Sequence, residues 1–312
     1  MTSATTTRKP VLSLGDRIFS RSAVFAGSMI LVTLAAVAAF LIAQSIPAFF
    51  ATNETASLLP ENFWSYVWPL IFGTIWAAVL ALIIALPLAI GIALFISHYA
   101  PRRVSAVLGY IVDLLAAVPS VVFGLWGIGV LAPAAQPVFV WLNTHLGWIP
   151  LFGGTVSGTG RTILTAALVL AVMVLPIMTA ICREVFLQAP VLHEEAALAL
   201  GATRWEMIRL AVLPFGRPGI VSAAMLGLGR ALGETMAVAM VLSATGLVSI
   251  RLLTSENPST IAANIALSFP EAYGENVNVL IATGLILFIV TFLVNAIARW
   301  IVSRRAEFSG AN

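Results

Sequence analysis

The stretch GLGRALGETMAVAM, residues 227–240, places an arginine and a glutamate four positions apart inside an otherwise apolar segment. Of the 312 residues, 60% are hydrophobic and only 9% are charged, and the mean hydropathy is +1.03. Soluble domains are nearer ~45–50% apolar and ~25% charged. The chain is therefore predicted to be an all-α, polytopic membrane protein, with Arg230 and Glu234 inside a spanning helix.

Six apolar segments are long enough to cross ~30 Å of hydrocarbon as helices. They cover residues 24–46, 67–96, 107–131, 163–185, 219–242 and 277–302. The first is longer than the apolar region of a signal peptide and has no small-residue cleavage site after it, so we expect it to be retained. The predicted organisation is a tail over residues 1–22, a six-helix transmembrane domain over 23–302, and a second tail over 303–312.

The distribution of basic residues predicts how these spans are oriented. If the N-terminal tail is cytoplasmic, only Arg161 and Arg251 of the basic residues between the spans fall on the outer side. Cytoplasmic segments carry the excess of lysine and arginine. Both termini are therefore assigned to the cytoplasm.

Several kinds of site are excluded by residue counts. The single Cys182 cannot form an intrachain disulfide, and the three histidines are too scattered for a metal site. The only lysine is Lys9, in TRKPV, so the chain lacks the G-x4-G-K-[ST] loop that binds nucleotide phosphates. We therefore expect no metal, no cofactor, no nucleic acid and no ATPase activity in this chain. If ATP drives it, another polypeptide must bind the nucleotide.

The longest inner loop, about residues 186–218, is predicted to contain two short helices. The first begins after Pro190 and stops at Gly201. Thr203 and Glu206 form a capping-box pattern that starts the second, which is predicted to end at Pro214. One face of the second helix carries Trp205, Ile208 and Val212. Physical chemistry alone leaves two interpretations level: a helix pair resting on lipid headgroups, or a docking element for another protein.

This loop resembles the E-A-A-x3-G-x9-I-x-L-P signature of the permease subunits of bacterial ATP-binding-cassette importers. The matching residues are Glu195, Ala196, Ala197, Gly201, Leu213 and Pro214. Ala211 stands where the signature has isoleucine and leaves a smaller side chain there. The resemblance implies a six-helix bundle of the importer permease type, whose loop docks in a groove on a cytoplasmic ATPase subunit. The predicted coupling residues are these matches together with Thr203, Trp205 and Glu206.

The charged residues of the fifth predicted span need a separate explanation. Arg230 would lie about twelve residues, ~18 Å, into that span, near the bilayer midplane. A charge there costs ~2.5–3.5 kcal/mol, so two unpaired charges facing lipid are excluded. Because spacing of four places Arg230 and Glu234 on one helix face, they are expected to pair and face the interior. The pair is either a structural lock or a substrate site, where spare guanidinium donors hold a tetrahedral oxyanion with help from a second subunit.

Two longer stretches resemble the PstC family of phosphate permeases: RALGETMAVAM, residues 230–240, and DLLAAVPSVVFGLWG, residues 113–127. The R-x-L-G-E core also recurs in sulfate and molybdate permeases. The resemblance implies that Arg230, Glu234 and Thr235 lie on the path of phosphate across the bacterial inner membrane. It also implies a PstA-type second permease, two PstB-type ATPase subunits that bind ATP and magnesium, and a PstS-type extracytoplasmic phosphate-binding protein.

Asp113 is predicted about a turn and a half inside the inner end of the third span. A structural role, accepting from Arg102, Arg103 or a backbone donor, is favoured over contact with substrate, because an unpaired carboxylate contributes nothing to a phosphate path. Pro119 is expected to kink the same span. With Ser120, these residues form a candidate gate or packing element.

Two classes of function remain open at this stage. One is a subunit of an ATP-driven importer for phosphate or a related oxyanion; the other is an ion-coupled secondary carrier that uses Glu234 and Asp113. Secondary carriers often contain internal repeats, but no repeat is evident and the coupling-type loop occurs once. A membrane anchor without transport would leave the cost of burying Arg230 and Glu234 unexplained.

Overall fold

The computed structural model describes the backbone of residues 14–306 and the side chains as far as residue 300. Within that range the chain is helical, with turns and two isolated bridges but no strand. Residues 1–13, with Arg8 and Lys9, residues 307–312, and the side chains of Arg304 and Arg305 lie outside the described part. The α-helices are α1 Leu14–Phe50, α2 Phe63–Leu94, α3 Arg102–Ala116, α4 Ser120–Trp126, α5 Ala132–Leu146, α6 Ile163–Leu187, α7 Val191–Ala199, α8 Arg204–Met207, α9 Leu213–Leu232, α10 Met236–Val241, α11 Ile261–Ser268 and α12 Glu275–Ala306.

Short irregular helical turns extend or join some of these helices. Three are π-helical, with hydrogen bonds from residue i to residue i−5: Phe95–Tyr99, Gly127–Leu131 and Ile208–Val212. One is a 3-10 turn, Phe269–Glu271. Six helical segments of the described chain are consequently long and apolar enough to cross a membrane: Leu14–Phe50, Phe63–Tyr99, Ser120–Leu146, Ile163–Leu187, Arg204–Leu232 and Glu275–Trp300. The predicted all-α fold with six spans is confirmed.

The first helix begins earlier than predicted, and the third span lies further along the chain. Helix α1 starts at Leu14, inside the predicted tail 1–22. The third span covers Ser120–Leu146 rather than residues 107–131, because α3 ends at Ala116 and Pro119 caps α4 in an extended conformation. A proline disfavours helical geometry in the residue before it and lacks a backbone donor. Pro119 therefore separates two helices, and the prediction that it kinks the third span is wrong.

The fifth span also differs from its prediction at both ends. The second short helix of the inner loop does not end at Pro214, because α8, the π-turn Ile208–Val212 and α9 form one helix over Arg204–Leu232. The π-turn shifts the hydrogen-bond ladder just before Pro214, where a backbone donor is missing in any case. At its outer end the helix stops at Leu232 rather than at 242, and the chain resumes as α10.

The core is built around α2 and α6, which pack along their lengths. Alanines at spacing four on α2 are almost fully buried and allow the close approach: Ala77, Ala81, Ala85, Ala89 and Ala93. Pro87 and Pro176 lie inside α2 and α6. Helix α9 packs on α6, while α1 packs chiefly on α12 and is exposed along most of its length. This arrangement places the interruption between α9 and α10 beside the central helix α6.

Candidate functional site

The interruption between α9 and α10 contains two of the three residues predicted to line the path, Glu234 and Thr235, and Arg230 lies just before it. Helix α9 ends at Leu232, and Gly233 is a turn residue with the lowest helix propensity after proline. The Thr235 hydroxyl donates to the Gly233 carbonyl oxygen at 3.2 Å, a local bond that competes with helical geometry. Helix α10 then begins at Met236. The R-x-L-G-E segment is therefore a helix end followed by a turn, not the middle of a span.

Glu234 is buried, with 9% of its surface exposed. Its Oε1 accepts the backbone N–H of Ala237 at 3.2 Å, so the carboxylate caps the first turn of α10. A helix N-terminus carries a partial positive charge that stabilises a carboxylate. Glu234 is thus held by the backbone of the helix that follows it.

Arg230 lies in the last turn of α9 and is half-buried. Its Nε is buried without a hydrogen-bond partner, and no ion pair joins Arg230 to Glu234 within the described residues. The prediction that the two side chains pair as neighbours on one helix face is wrong, because the helix ends at Leu232, before it reaches Glu234. Within the described residues, the Arg230 Nε is therefore an unsatisfied donor at the end of α9.

Two glycines that were not among the predicted site residues bring α4 close to α10. A Cβ built on Gly124 would lie 3.0 Å from Met240 Sδ and 3.1 Å from Ala237 Cα. One built on Gly127 would lie 2.7 Å from side-chain carbons of both Val169 and Val241. The second half of DLLAAVPSVVFGLWG thus packs against the second half of RALGETMAVAM. The spacing of three residues between Gly124 and Gly127 is visible in the sequence, but it does not show which helix the two glycines contact.

Asp113 lies on α3 and is outside the spans. Its Oδ2 is 4.0 Å from Arg183 Nη2 on α6, so its partner is neither Arg102 nor Arg103, which corrects the prediction. Gly109 makes this contact possible, because a Cβ there would overlap the Arg183 guanidinium. Asp113 therefore makes a weak contact between α3 and α6, because its side chain is 56% exposed and exposed ion pairs contribute little to stability.

Pro119 and Ser120 lie where the chain enters the third span. Pro119 is the N-cap of α4 and Ser120 its first residue. Neither residue shares a helix with Asp113, because residues 117–119 separate α3 from α4. The three residues are not brought together as one element.

The inner loop has the helix stop and the capping box that its sequence predicts. Helix α7 follows Pro190, and Gly201 takes a φ of +86°, a conformation that side chains disfavour. The Thr203 N–H donates to Glu206 Oε2 at 2.7 Å, and the Glu206 N–H donates to Thr203 Oγ1 at 3.3 Å. The predicted helix stop and capping box are confirmed.

The three residues predicted to share one face of the second loop helix differ in their burial. Ile208 and Val212 are fully buried, whereas Trp205 is largely exposed. Helix α7 and its end expose further apolar side chains: Val191, Leu192, Leu198 and Leu200. Leu200 is 90% exposed, so this part of the loop offers an apolar surface that nothing in the described chain covers. The signature residues Glu195, Ala196 and Ala197 lie on α7, whereas Leu213 and Pro214 begin α9.

Two contacts connect this loop to the inner end of the second span. His98 Nε2 lies 3.4 Å from Glu194 Oε1, and His98 Nδ1 lies 2.6 Å from Ser97 Oγ. The guanidinium carbon of Arg204 lies 5.6 Å from the centre of the Tyr99 ring, within the range of a cation–π contact. The loop is therefore tied to α2 through the π-turn Phe95–Tyr99.

Comparison with known proteins agrees with this architecture. Residues 85–307 match the family described as binding-protein-dependent transport system inner membrane component. A Mycobacterium tuberculosis protein named phosphate transport system permease protein PstC 2 is 46% identical over 304 residues, covering 94% of this chain and 93% of that protein. A Xylella fastidiosa protein named phosphate transport system permease protein PstC is 43% identical over 219 residues, covering 69% of this chain and 67% of the relative.

A solved structure supports the fold alone. The crystal structure of a bacterial ATP-binding-cassette transporter involved in the import of the polysaccharide alginate matches with a TM-score of 0.55 at 20% identity. The match covers 76% of this chain and 78% of that one. The family match spans most of the chain, including the inner loop and the interruption between α9 and α10. This chain belongs to the family of binding-protein-dependent transport system inner membrane components.

Proposed function

We propose that this chain is the permease subunit of an ATP-driven importer and forms half of a translocation path for inorganic phosphate. The observation that carries the proposal is Arg230: a half-buried guanidinium at a helix end, without an ion-pair partner in the described chain. Such a group can donate charge-assisted hydrogen bonds to an oxyanion. The names of relatives that are 43–46% identical support phosphate as that anion.

Glu234 fits phosphate on chemical grounds, although it belongs to the R-x-L-G-E core that sulfate and molybdate permeases share. A carboxylate near a passing anion repels it unless the anion donates a hydrogen bond, and phosphate at neutral pH retains a P–OH group. Sulfate is fully ionised and has no donor. Since the N–H of Ala237 occupies Oε1, Oε2 remains available to accept from the P–OH. In this proposal Arg230 donates to phosphate, Glu234 accepts from it, and Thr235 lies beside them in the turn.

The inner loop is the proposed attachment site for the ATPase. Its exposed apolar side chains and its rigid turn at Gly201 fit a surface that a partner covers. ATP and magnesium would then bind on two PstB-type subunits, one of them docked on residues of α7 and α8. A PstA-type permease would complete the path, a PstS-type protein would deliver phosphate from outside, and both termini of this chain would face the cytoplasm.

The test is reconstitution of this chain with the candidate second permease, ATPase and binding protein in liposomes. We expect phosphate uptake that needs ATP, continues without an ion gradient and is not competed by equimolar sulfate. Glu234→Gln retains an oxygen for Ala237 but loses the carboxylate, so the preference for phosphate over sulfate should fall. Uptake that persists without ATP and stops when the gradient is removed would instead identify a secondary carrier.

A further inference from the structure

Helix α10 is unusually short for an element inside a membrane protein core. It has six residues, Met236–Val241, and connects the turn at Gly233 to an outer loop. Isolated helices of this length are unstable, because nucleation is costly and few hydrogen bonds are gained. Its position must therefore be set by contacts at its ends and along its sides.

A charged side chain binds each end of α10, and its charge is opposite to the partial charge of the helix at that end. At the start, Glu234 accepts the N–H of Ala237. At the other end, Arg161 Nη2 donates to the carbonyl oxygens of Met240 at 3.1 Å and Leu242 at 3.4 Å. An anion at the N-terminus and a cation at the C-terminus both stabilise a helix, because each lies beside a partial charge of the opposite sign. The carbonyls of Met240, near the end of α10, and of Leu242, the residue after it, are thereby satisfied.

The chain next to Arg161 is fixed by a helix cap, a side-chain hydrogen bond and close backbone packing. Thr162 caps α6, and the Thr165 hydroxyl donates to the Gly160 carbonyl oxygen at 2.6 Å. Gly160 has a φ of +68° and packs against the backbone of Ala132, where a side chain would not fit. Since α6 is the most buried of the six described spans, Arg161 connects α10 to the core of the bundle.

We propose that Arg161 is a positioning residue, which holds α10 against α6 and so sets the geometry of the turn that carries Glu234 and Thr235. The proposal rests on the function assigned above to that turn. Arg161 acts through the backbone of α10 and does not itself bind the anion. Nothing in the sequence near Arg161 indicates that its partners lie at Met240 and Leu242.

The predicted consequence is a change in mobility that is confined to α10. A nitroxide label can be attached at Met236→Cys, a residue that is 45% exposed, after Cys182→Ala removes the native thiol. Val172→Cys on α6, which is 41% exposed, gives a matched reference label. In the assembled complex, Arg161→Gln should increase label mobility at position 236 and leave position 172 unchanged. Arg161→Lys, which keeps a cation able to reach the carbonyls, should restore most of the order.

Phosphate uptake by the same complexes gives the second measurement. Arg161→Gln should lower kcat for uptake by about tenfold or more, because losing the charge-assisted hydrogen bonds to Met240 and Leu242 lowers the population of the correctly placed turn, with KM little changed. Arg161→Lys should recover part of that loss. Arg251→Gln, at the other outer arginine, which is exposed, should change neither measurement.

Each contrary result has a distinct meaning. Reduced uptake with an unchanged spectrum at position 236 would overturn the positioning role and indicate direct contact between Arg161 and the anion. Increased mobility at both labels would show general loosening, and no change in either measurement would show that Arg161 is dispensable; both outcomes reject the proposal. If the unaltered complex does not import phosphate, the proposed function fails, while the label spectra still report on whether Arg161 holds α10.

Discussion

Replacement of Arg230 by glutamine separates a substrate role from a structural one. Had Arg230 and Glu234 formed an ion pair, the single substitution would leave a buried carboxylate without a partner and destabilise the fold. In this structure the substitution does not deprive Glu234 of its partner, because Glu234 accepts from the N–H of Ala237 and not from Arg230. Arg230→Gln should therefore leave the fold, and assembly with the partner subunits, intact.

The size of the effect follows from the hydrogen bonds that are lost. The Arg230 Nε has no partner in the described chain, and an unsatisfied buried donor costs about 1–3 kcal/mol, so the melting temperature should stay the same or rise. Toward phosphate, one charge-assisted hydrogen bond contributes about 1.5–3 kcal/mol, so kcat/KM for uptake should fall roughly 10- to 150-fold. Glutamine offers two amide donors and no charge, which recovers little of this.

The assay is ATP-dependent uptake of radioactive phosphate into liposomes, with melting temperature and ATPase co-purification measured on the same samples. Arg217→Gln, an exposed arginine on the same helix α9, is the matched control for loss of positive charge. Near-normal uptake by a correctly assembled Arg230→Gln complex would refute the substrate role. A complex that no longer assembles would refute the conclusion that Arg230 is free of structural partners.

Three further substitutions test the coupling loop and the packing around α10. Gly201→Val forces a φ of +86° on a branched side chain, at a cost of about 1–2 kcal/mol, so ATPase co-purification should fall while membrane insertion, measured by fractionation, persists. Gly124→Leu should lower the melting temperature through overpacking of about 1–3 kcal/mol, whereas Gly129→Ala, where no atom lies within 4 Å, should not; equal effects would contradict the close packing of α4 and α10. His98→Ala removes the contact to Glu194, so the ATP hydrolysed per phosphate imported should rise several-fold with ATPase binding retained; an unchanged ratio would show that this contact transmits nothing.

Features that depend on composition or on a few adjacent residues could be predicted from the sequence. The membrane class and the six spans follow from apolar segments long enough to cross a bilayer, a property of each segment by itself. The stop at Gly201 and the capping box of Thr203 and Glu206 were also predictable, because their hydrogen bonds join residues three apart.

Features that depend on where a helix ends, or on which helices touch, appear only in the tertiary structure. An apolar run does not reveal that the chain breaks at residues 117–119 and 233–235, since such breaks are retained only when neighbouring elements satisfy the exposed backbone groups. Asp113 reaches Arg183 on α6, and Arg161 binds carbonyls that lie about eighty residues further along the chain. Both partners are chosen by the packing of α3 and α10 against α6, because only that packing brings groups so distant in the chain next to each other.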